Sequence, residues 1–397
     1  MPTPPLRAFV AAACGVHLAD QLALAALPLL AVLVLDASPA TVGALVAAHG
    51  AAWLVLTLPG GVWVDRAGPS ATMRRAQASG CVGLAGAVGA TLARSGGGLA
   101  AAAFVASAGT VLFVLSVVPA IRAAIPEPGR PAANARLELA RAAVTLVAPL
   151  AAGALAQRGA AIAALVLALL AAVAALAAVR RLPVSDATVA PREPFGTAIR
   201  AGASVVLADP LLRAIAACAV LFNLAFFALV ASWVPHALGV LGLDAAGVGL
   251  SQAGYGVGLL AGAAAAPRLM ACLPPRVLLV GGPGCAVLAA VLLATMPSTA
   301  AAFVAQLLVG FGPMVWQVQR TTLTQQRVPA ALLGRASATI QLAVYGVRPL
   351  GALAGGAIAQ GWGTGAAIVA IGAGFAASAA VMGIARLDGT RRTTIAA

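Results

Sequence analysis

Apolar runs of about 20 residues, the length that crosses a bilayer as a helix, recur along the whole chain with short polar breaks between them. Breaking at charges, prolines and glycines leaves twelve, at roughly 7–35, 40–64, 76–93, 98–121, 137–157, 160–179, 210–235, 245–266, 277–296, 299–322, 336–360 and 363–385. Of the 397 residues 62% are hydrophobic and 9% charged, against about 45–50% and about 25% in a soluble protein. Such a chain cannot cover itself with polar surface in water, so lipid must be its solvent. Inside lipid the backbone must satisfy its own polar groups. Runs of this length do so as helices. We expect an all-α membrane protein.

The net charge of +14 would point to nucleic acid in a soluble protein. Here the arginines stand between apolar runs, without interleaved aromatics, and they sort by side. With the N-terminus inside, twenty-one of the twenty-four fall on inner segments, only Arg94 and Arg158 on outer loops, and Arg348 within a span. That asymmetry is expected of a multi-pass protein of the inner (cytoplasmic) membrane with both termini in the cytoplasm. It excludes nucleic acid as a partner. The first apolar stretch, Ala8 to Leu35, is too long for the h-region of a signal peptide and reads as an uncleaved first helix. Five cysteines (Cys14, Cys81, Cys218, Cys272, Cys285) stand singly, with no metal or redox spacing, and read as small buried thiols. We expect no metal and no cofactor.

The longest polar interruption, 180–209, lies at the centre. It divides the chain into a first six-span unit (1–179), a cytoplasmic linker (180–209) and a second six-span unit with a short tail (210–397). The halves resemble each other at an offset of 203 residues: AAGALAQ at 151–157 answers AGGAIAQ at 354–360. The same offset sets Asp20 opposite Asn223 and Asp65 opposite Arg268. Parallel repeats of this kind imply two bundles around a central site near the bilayer midplane.

The sharpest motif follows the second span: Gly61-Val-Trp-Val-Asp65-Arg66-Ala-Gly68-Pro69. It resembles the loop signature of the major facilitator superfamily, Gly-x-x-x-Asp-Arg-x-Gly, although the two basic residues that follow there are Pro69 and Ser70 here. The resemblance implies a gate, with Gly61 and Gly68 allowing close packing and Asp65, beside Arg66, facing the positive end of a helix from the other half. A second stretch, VPAALLGRASATIQLAVYGVRPLGALAGGAIAQ at 328–360, is similar to the start of the eleventh helix in the branch holding macrolide-efflux and enterobactin-exporter proteins. PAIRAAIPEPGRPAANARLELARA at 119–142 resembles the matching stretch before the fifth helix. The antiporter signature of that helix survives only as Ala148-Pro149-Leu-Ala-Ala-Gly153, and the basic signature of the fourth is absent.

Few polar residues lie deep in the spans. Asp20 is the only carboxylate there, roughly 20 Å in, with His17 one turn away. Burial disfavours its charged form, which suits a group that takes up and releases protons; the bland alternative is a residue hydrogen-bonding helices together. Arg348 lies at a similar depth, on one stripe with Gln341 and Tyr345, and His49 in the second span is a possible neighbour. Arg348 either meets an anionic substrate or is the permanent partner of a structural bridge. Asn223, Gln252, Tyr255, Gln306, Gln317 and Arg320 are further lining candidates, each pair Gln252/Tyr255 and Gln306/Gln317 sharing a helix face. Gly254, Gly258 and Gly262, like Gly351 and Gly355, read as close helix packing without chemistry.

A chain without lysine has no Walker loop, so ATP does not drive it directly. No catalytic cluster converges anywhere, which argues against an enzyme. The sequence points to a monomeric secondary transporter in the inner membrane, made of twelve helices in two pseudo-symmetric bundles. It would work by alternating access: proton-coupled efflux of a small molecule such as a drug, natural product or siderophore. Uptake of a nutrient by proton symport is the alternative, and a sensor or assembly subunit a more distant one.

Overall fold

The computed structural model describes residues 4–182, 195–328 and 330–385. They form α-helices with one short 3-10 turn and, among the described residues, no strand. The helices are α1 (Pro4–Leu33), α2 (Pro39–Ala67), α3 (Pro69–Leu92), α4 (Gly96–Ala124), α5 (Arg130–Gln157), α6 (Ala161–Arg180), α7 (Phe195–Ala208), α8 (Pro210–Gly239), α9 (Ala245–Cys272), α10 (Pro275–Thr295), α11 (Thr299–Arg327) and α12 (Ala330–Ile384). Ten of them are long and apolar enough to cross a membrane. The run α12 holds two spans, because its backbone breaks at Gly363, where φ is 85° and ψ 159°. Only glycine adopts that conformation without strain. With α3, whose hydropathy is lowered by Arg74, Arg75, Gln77 and its small residues, the spans number twelve as expected.

Of the central linker expected at 180–209, residues 183–194 lie outside the described residues, and the described remainder is largely helical. It carries α7, which packs against α8 and α12 and buries Val205 and Val206 while Leu207 stays exposed. Asp209 then caps α8, accepting from the amides of Leu211 and Leu212, and pairs at 3.3 Å with Arg327 at the end of α11. At the other end of the molecule Ser38, Ser95, Asp244 and Ser298 cap α2, α4, α9 and α11. Arg94, one of the two arginines there, donates to the Val34 carbonyl at 2.7 Å and ties the α3–α4 loop to the α1–α2 loop. Large apolar side chains such as Val82, Leu170, Leu288 and Val369 are exposed on the outward faces, where lipid is the solvent. One expectation fails: of the five cysteines only Cys218 is buried, and Cys272, at the end of α9, is exposed.

Two six-span bundles result, and their core shows how they meet. At the arginine-poor end one continuous apolar cluster spans both, from Leu22–Ala31 of α1 through Ala148 and Ala152 of α5 to Trp233 of α8 and Val248 of α9. At the arginine-rich end the core is split. One cluster holds Phe9, Met73, Phe113 and Ile121 of the first bundle, and a separate one holds Ile215, Leu279, Trp316 and Ile340 of the second. The bundles are therefore closed on each other at the arginine-poor end and part towards the arginine-rich end.

The closed end is made by two backbone crossings. A side chain on Gly153 of α5 would lie 2.8 Å from the Cα of Gly249 on α9, and one on Gly43 of α2 would lie 2.9 Å from the Cα of Gly356 on α12. Gly153 and Gly356 occupy the same place in the two matched heptapeptides, so the repeat has a physical meaning: it places a glycine at each crossing. The stripe Gly254, Gly258, Gly262 packs on Phe303, Leu307 and Phe311 of α11, and Gly351 and Gly355 pack on Leu224 and Ala228 of α8. These are the close contacts expected of small residues, here within the second bundle.

Candidate functional site

Asp20 lies inside the first bundle, near the middle of α1. Its carboxylate is not alone there. The Nε2 of His49, from α2, stands 3.5 Å from Oδ1, with the two side chains 6% and 10% exposed, and Gln21 Nε2 donates to Oδ2 at 3.4 Å. His49 is thus the imidazole that Asp20 meets. His17, the neighbour expected one turn away, turns its ring edge-on to Phe113 instead, 6.4 Å between centroids. Asp20 and His49 line a narrow cavity with Gln77 of α3, Ser107 and Thr110 of α4 and Ala172 of α6. Sequence reasoning missed Gln77 and Ser107, because single polar residues on separate helices give no pattern until the helices pack.

Arg348 lies on the first arm of α12, where α2 and α8 approach. Gly50 of α2 allows that approach: a side chain there would sit 3.6 Å from the Arg348 Cβ. Three rings surround the guanidinium, with centroids 4.5 Å (Tyr345), 5.0 Å (Phe227) and 5.5 Å (Trp53) from its Cζ. The ring faces offer a cation partial compensation for lost water. Its Nε is buried without a hydrogen-bond partner, and among the described residues no carboxylate lies within bridging distance. In this conformation the arginine is held by aromatic faces and still has donors to give. Asp20, the possible bridge partner, is engaged by His49 in the other bundle.

The rings continue along the second bundle, Phe226 lying 5.5 Å from Tyr255 of α9 and 6.2 Å from Phe222. Gln252, one turn from Tyr255, has a buried Oε1 with no partner. Asn223 instead donates back to the Ala219 carbonyl of its own helix at 2.9 Å, the local role of a polar residue in a span. Gln341 is exposed beside half-buried Tyr345. Gln306 and Gln317 do not act as one face, since the first is buried and the second exposed. Gln317 accepts from Arg320 Nε at 2.7 Å, and Arg320 lies over the Trp316 ring.

In the loop motif the close contact falls one residue earlier than expected. A side chain on Gly60 would lie 2.8 Å from Leu112 and Leu115 of α4, whereas Gly61 faces nothing within 4 Å. Gly68 joins α2 to α3 at φ 80°, another left-handed turn that favours glycine, and Pro69 starts α3. Asp65 is half-buried and Arg66 exposed at the parted end.

Twelve spans in two bundles, closed at one end and parted at the other, with a deep carboxylate inside one bundle and a deep arginine at the seam, are the framework of a membrane carrier. The chain belongs to the Major Facilitator Superfamily, whose profile matches residues 9–352. No curated protein matches the sequence. Among solved structures it is similar to the nucleoside transporter NupG, with a TM-score of 0.77 at 11% identity over 96% of this chain and 98% of that one. It is also similar to the POT family transporter PepTSo (TM-score 0.75, 14% identity, 96% and 98% covered) and to a D-xylose–proton symporter (TM-score 0.72, 15% identity, 95% and 96% covered). At such identities the likeness is one of fold.

Proposed function

We propose that the chain is a proton-coupled secondary transporter that exports a small molecule across the cytoplasmic membrane, with Asp20 as the proton carrier and the Arg348 seam as the substrate site. The observation that carries this reading is the separation of two charged groups: a buried carboxylate facing an imidazole in one bundle, and an arginine among rings at the seam. A carrier needs a group that binds the driving ion and a different group that meets the cargo, coupled through one conformational change. Arg348 with Tyr345, Phe227 and Trp53 suits a planar anion, which would take the guanidinium donors and stack on the rings. Gln252, Tyr255 and Gln317 would extend that site, and Gln341 would line its approach. His49 belongs to the proton carrier more than to the substrate. The two bundles divide at the linker 180–209, and the chain acts as a monomer.

Reconstituted vesicles with an imposed pH gradient test this, using salicylate, naphthalene-2-sulfonate, cationic dyes, siderophores and sugars. Accumulation of an anionic aromatic probe against the proton flow is expected. Probe movement in the same direction as the protons would make the protein an uptake symporter, and indifference of every probe to the gradient would end the proton-coupled reading.

The arginine bias motivates a prediction about sidedness. Reporters fused at Arg181 and at the C-terminus should both read as cytoplasmic; an external signal from either would invalidate the proposed orientation. Asp65 motivates another. A carboxylate against a helix N-terminus is worth about 0.3–1 kcal/mol, or up to about 2 when partly buried. Asp65→Asn should leave the protein folded and shift the balance towards the conformation parted at the arginine-rich end. Unchanged spin-label distances across that end would remove the gate role from Asp65.

A further inference from the structure

The cavity beside Asp20 concentrates buried polar atoms that have no hydrogen-bond partner in the protein. They are Asp20 Oδ1, His49 Nδ1, Gln77 Nε2 and Ser107 Oγ, and all four residues line this one space. Gln77 is 2% exposed and Ser107 fully buried. Buried polar groups are nearly always paired, and each unpaired one costs about 1–3 kcal/mol. Four together in one cavity point to a ligand. The water-accessible space is about 10 Å³, roughly the room of one water molecule. At 3.5 Å the contact of His49 Nε2 with Asp20 Oδ1 is too long for a good hydrogen bond, so Oδ1 keeps its capacity to accept one from a water in the cavity.

We propose that this cavity is a proton-holding water site: one ordered water, positioned by Gln77 and Ser107, joins Asp20 to His49, and the group takes up and releases a single proton as a unit. The proposal rests on the reading of Asp20 as the proton carrier. With Asp20 ionised and Nε2–H of His49 facing it, the water donates to Oδ1 and to His49 Nδ1 and accepts from the Gln77 amide and the Ser107 hydroxyl. Four hydrogen bonds are what a buried water can make. On uptake, a proton reaching the water passes to Oδ1. An O–H bond forms there, the hydronium becomes water again, and the charge of the carboxylate goes from −1 to 0. The new O–H then donates to the water, and the Ser107 hydroxyl rotates from donor to acceptor, a change open to a hydroxyl and closed to an amide. Release reverses each step. A bare metal cation fits less well, since the Gln77 amide presents a donor to the cavity.

Two other charged or titratable groups bear on the pair, His17 of α1 on Asp20 and Arg348 of α12 on both, and Arg141 of α5 bears in turn on His17 and Arg348. From α3, α4 and α6 the cavity receives no charged side chain. Arg348 acts on both Asp20 and His49 electrostatically, so neutralising Asp20 changes what the substrate seam experiences.

Infrared difference spectra of the purified protein between acid and alkaline pH test this without any substrate. The wild type should show a protonated carboxyl band that Asp20→Asn removes, and a water O–H band that shifts in oxygen-18 water. Ser107→Ala with Gln77→Leu should abolish the water band and move the titration midpoint by at least about one pH unit, tenfold in proton affinity. Both replacements put apolar atoms where the water and its two donors stood, so the helical fold should be retained, checked by circular dichroism. If the double variant titrates like the wild type with its water band intact, the water site is wrong while Asp20 remains the carrier. If Asp20→Asn leaves the spectrum unchanged, both readings fall. A midpoint that moves when sodium chloride replaces choline chloride would overturn the water in favour of a cation.

Discussion

Alanine at Gly249 and at Gly43 together should drive the protein out of the conformation closed at the arginine-poor end. A methyl group on Gly43 would stand 2.7 Å from the Ala352 carbonyl oxygen and 2.9 Å from the Gly356 Cα, and one on Gly249 would stand 2.9 Å from the Gly153 Cα. None of these neighbours is the free end of a flexible side chain, so the helices themselves must separate. Overpacking of this kind costs about 1–3 kcal/mol at each site. Alternating access requires these same contacts to break when the other side opens, so the cost falls on one conformation only. Two crossings then shift the equilibrium by about thirtyfold to over ten-thousandfold, each factor of ten being about 1.4 kcal/mol. Distances between labels at Ala93 and Met296, attached through a non-canonical amino acid because native cysteines are present, should lengthen. Gly281→Ala is the control. Its side chain would meet nothing within 4 Å, and alanine in a helix interior is if anything stabilising. Wild-type distances in the Gly43/Gly249 variant would mean that the crossings are not gates.

The architecture was legible because lipid writes it directly into composition. Without water to satisfy the backbone, run length fixes helix number, and Gly363 in Gln-Gly-Trp-Gly fixes the last break. The repeat was legible too, down to the glycine shared by 151–157 and 354–360, although only packing shows that it marks a crossing. The site was legible in its rare residues and not in their pairing. Asp20 and Arg348 stand out in any hydropathy reading, but nothing in the spacing of one helix tells which neighbour turns towards it. So His17, one turn from Asp20 in sequence, yields to His49 from α2 in space. Gln77 and Ser107 were passed over for the same reason. Conversely, Asn223 stands out by rarity and position and then bonds its own helix. Polar residues in a span satisfy themselves locally where they can.

Asp20→Asn and Arg348→Gln should separate coupling from binding. Asparagine keeps the shape of the aspartate and part of its hydrogen bonding but cannot titrate. Transport driven by a pH gradient should therefore vanish in Asp20→Asn, while energy-independent exchange of an anionic probe persists. Arg348→Gln loses the cation from its nest of rings, an interaction worth about 0.5–1 kcal/mol when exposed and about 2 or more when desolvated. It also loses the charge that would face the probe. Binding of naphthalene-2-sulfonate, followed by tryptophan fluorescence, should weaken by at least about tenfold, or 1.4 kcal/mol, with neutral sugars unaffected. Stability supplies the deciding measurement. Were the two residues one buried bridge, each single variant would leave an unpaired charge, and the double variant would recover much of the loss. The structure gives them different partners, His49 for the carboxylate and three rings for the guanidinium. Beyond the electrostatic coupling between them, their losses on melting should accumulate, leaving the double variant less stable than either single one. A double variant more stable than either single one would return Arg348 to a structural role. Full pH-driven transport by Asp20→Asn would remove the proton from Asp20.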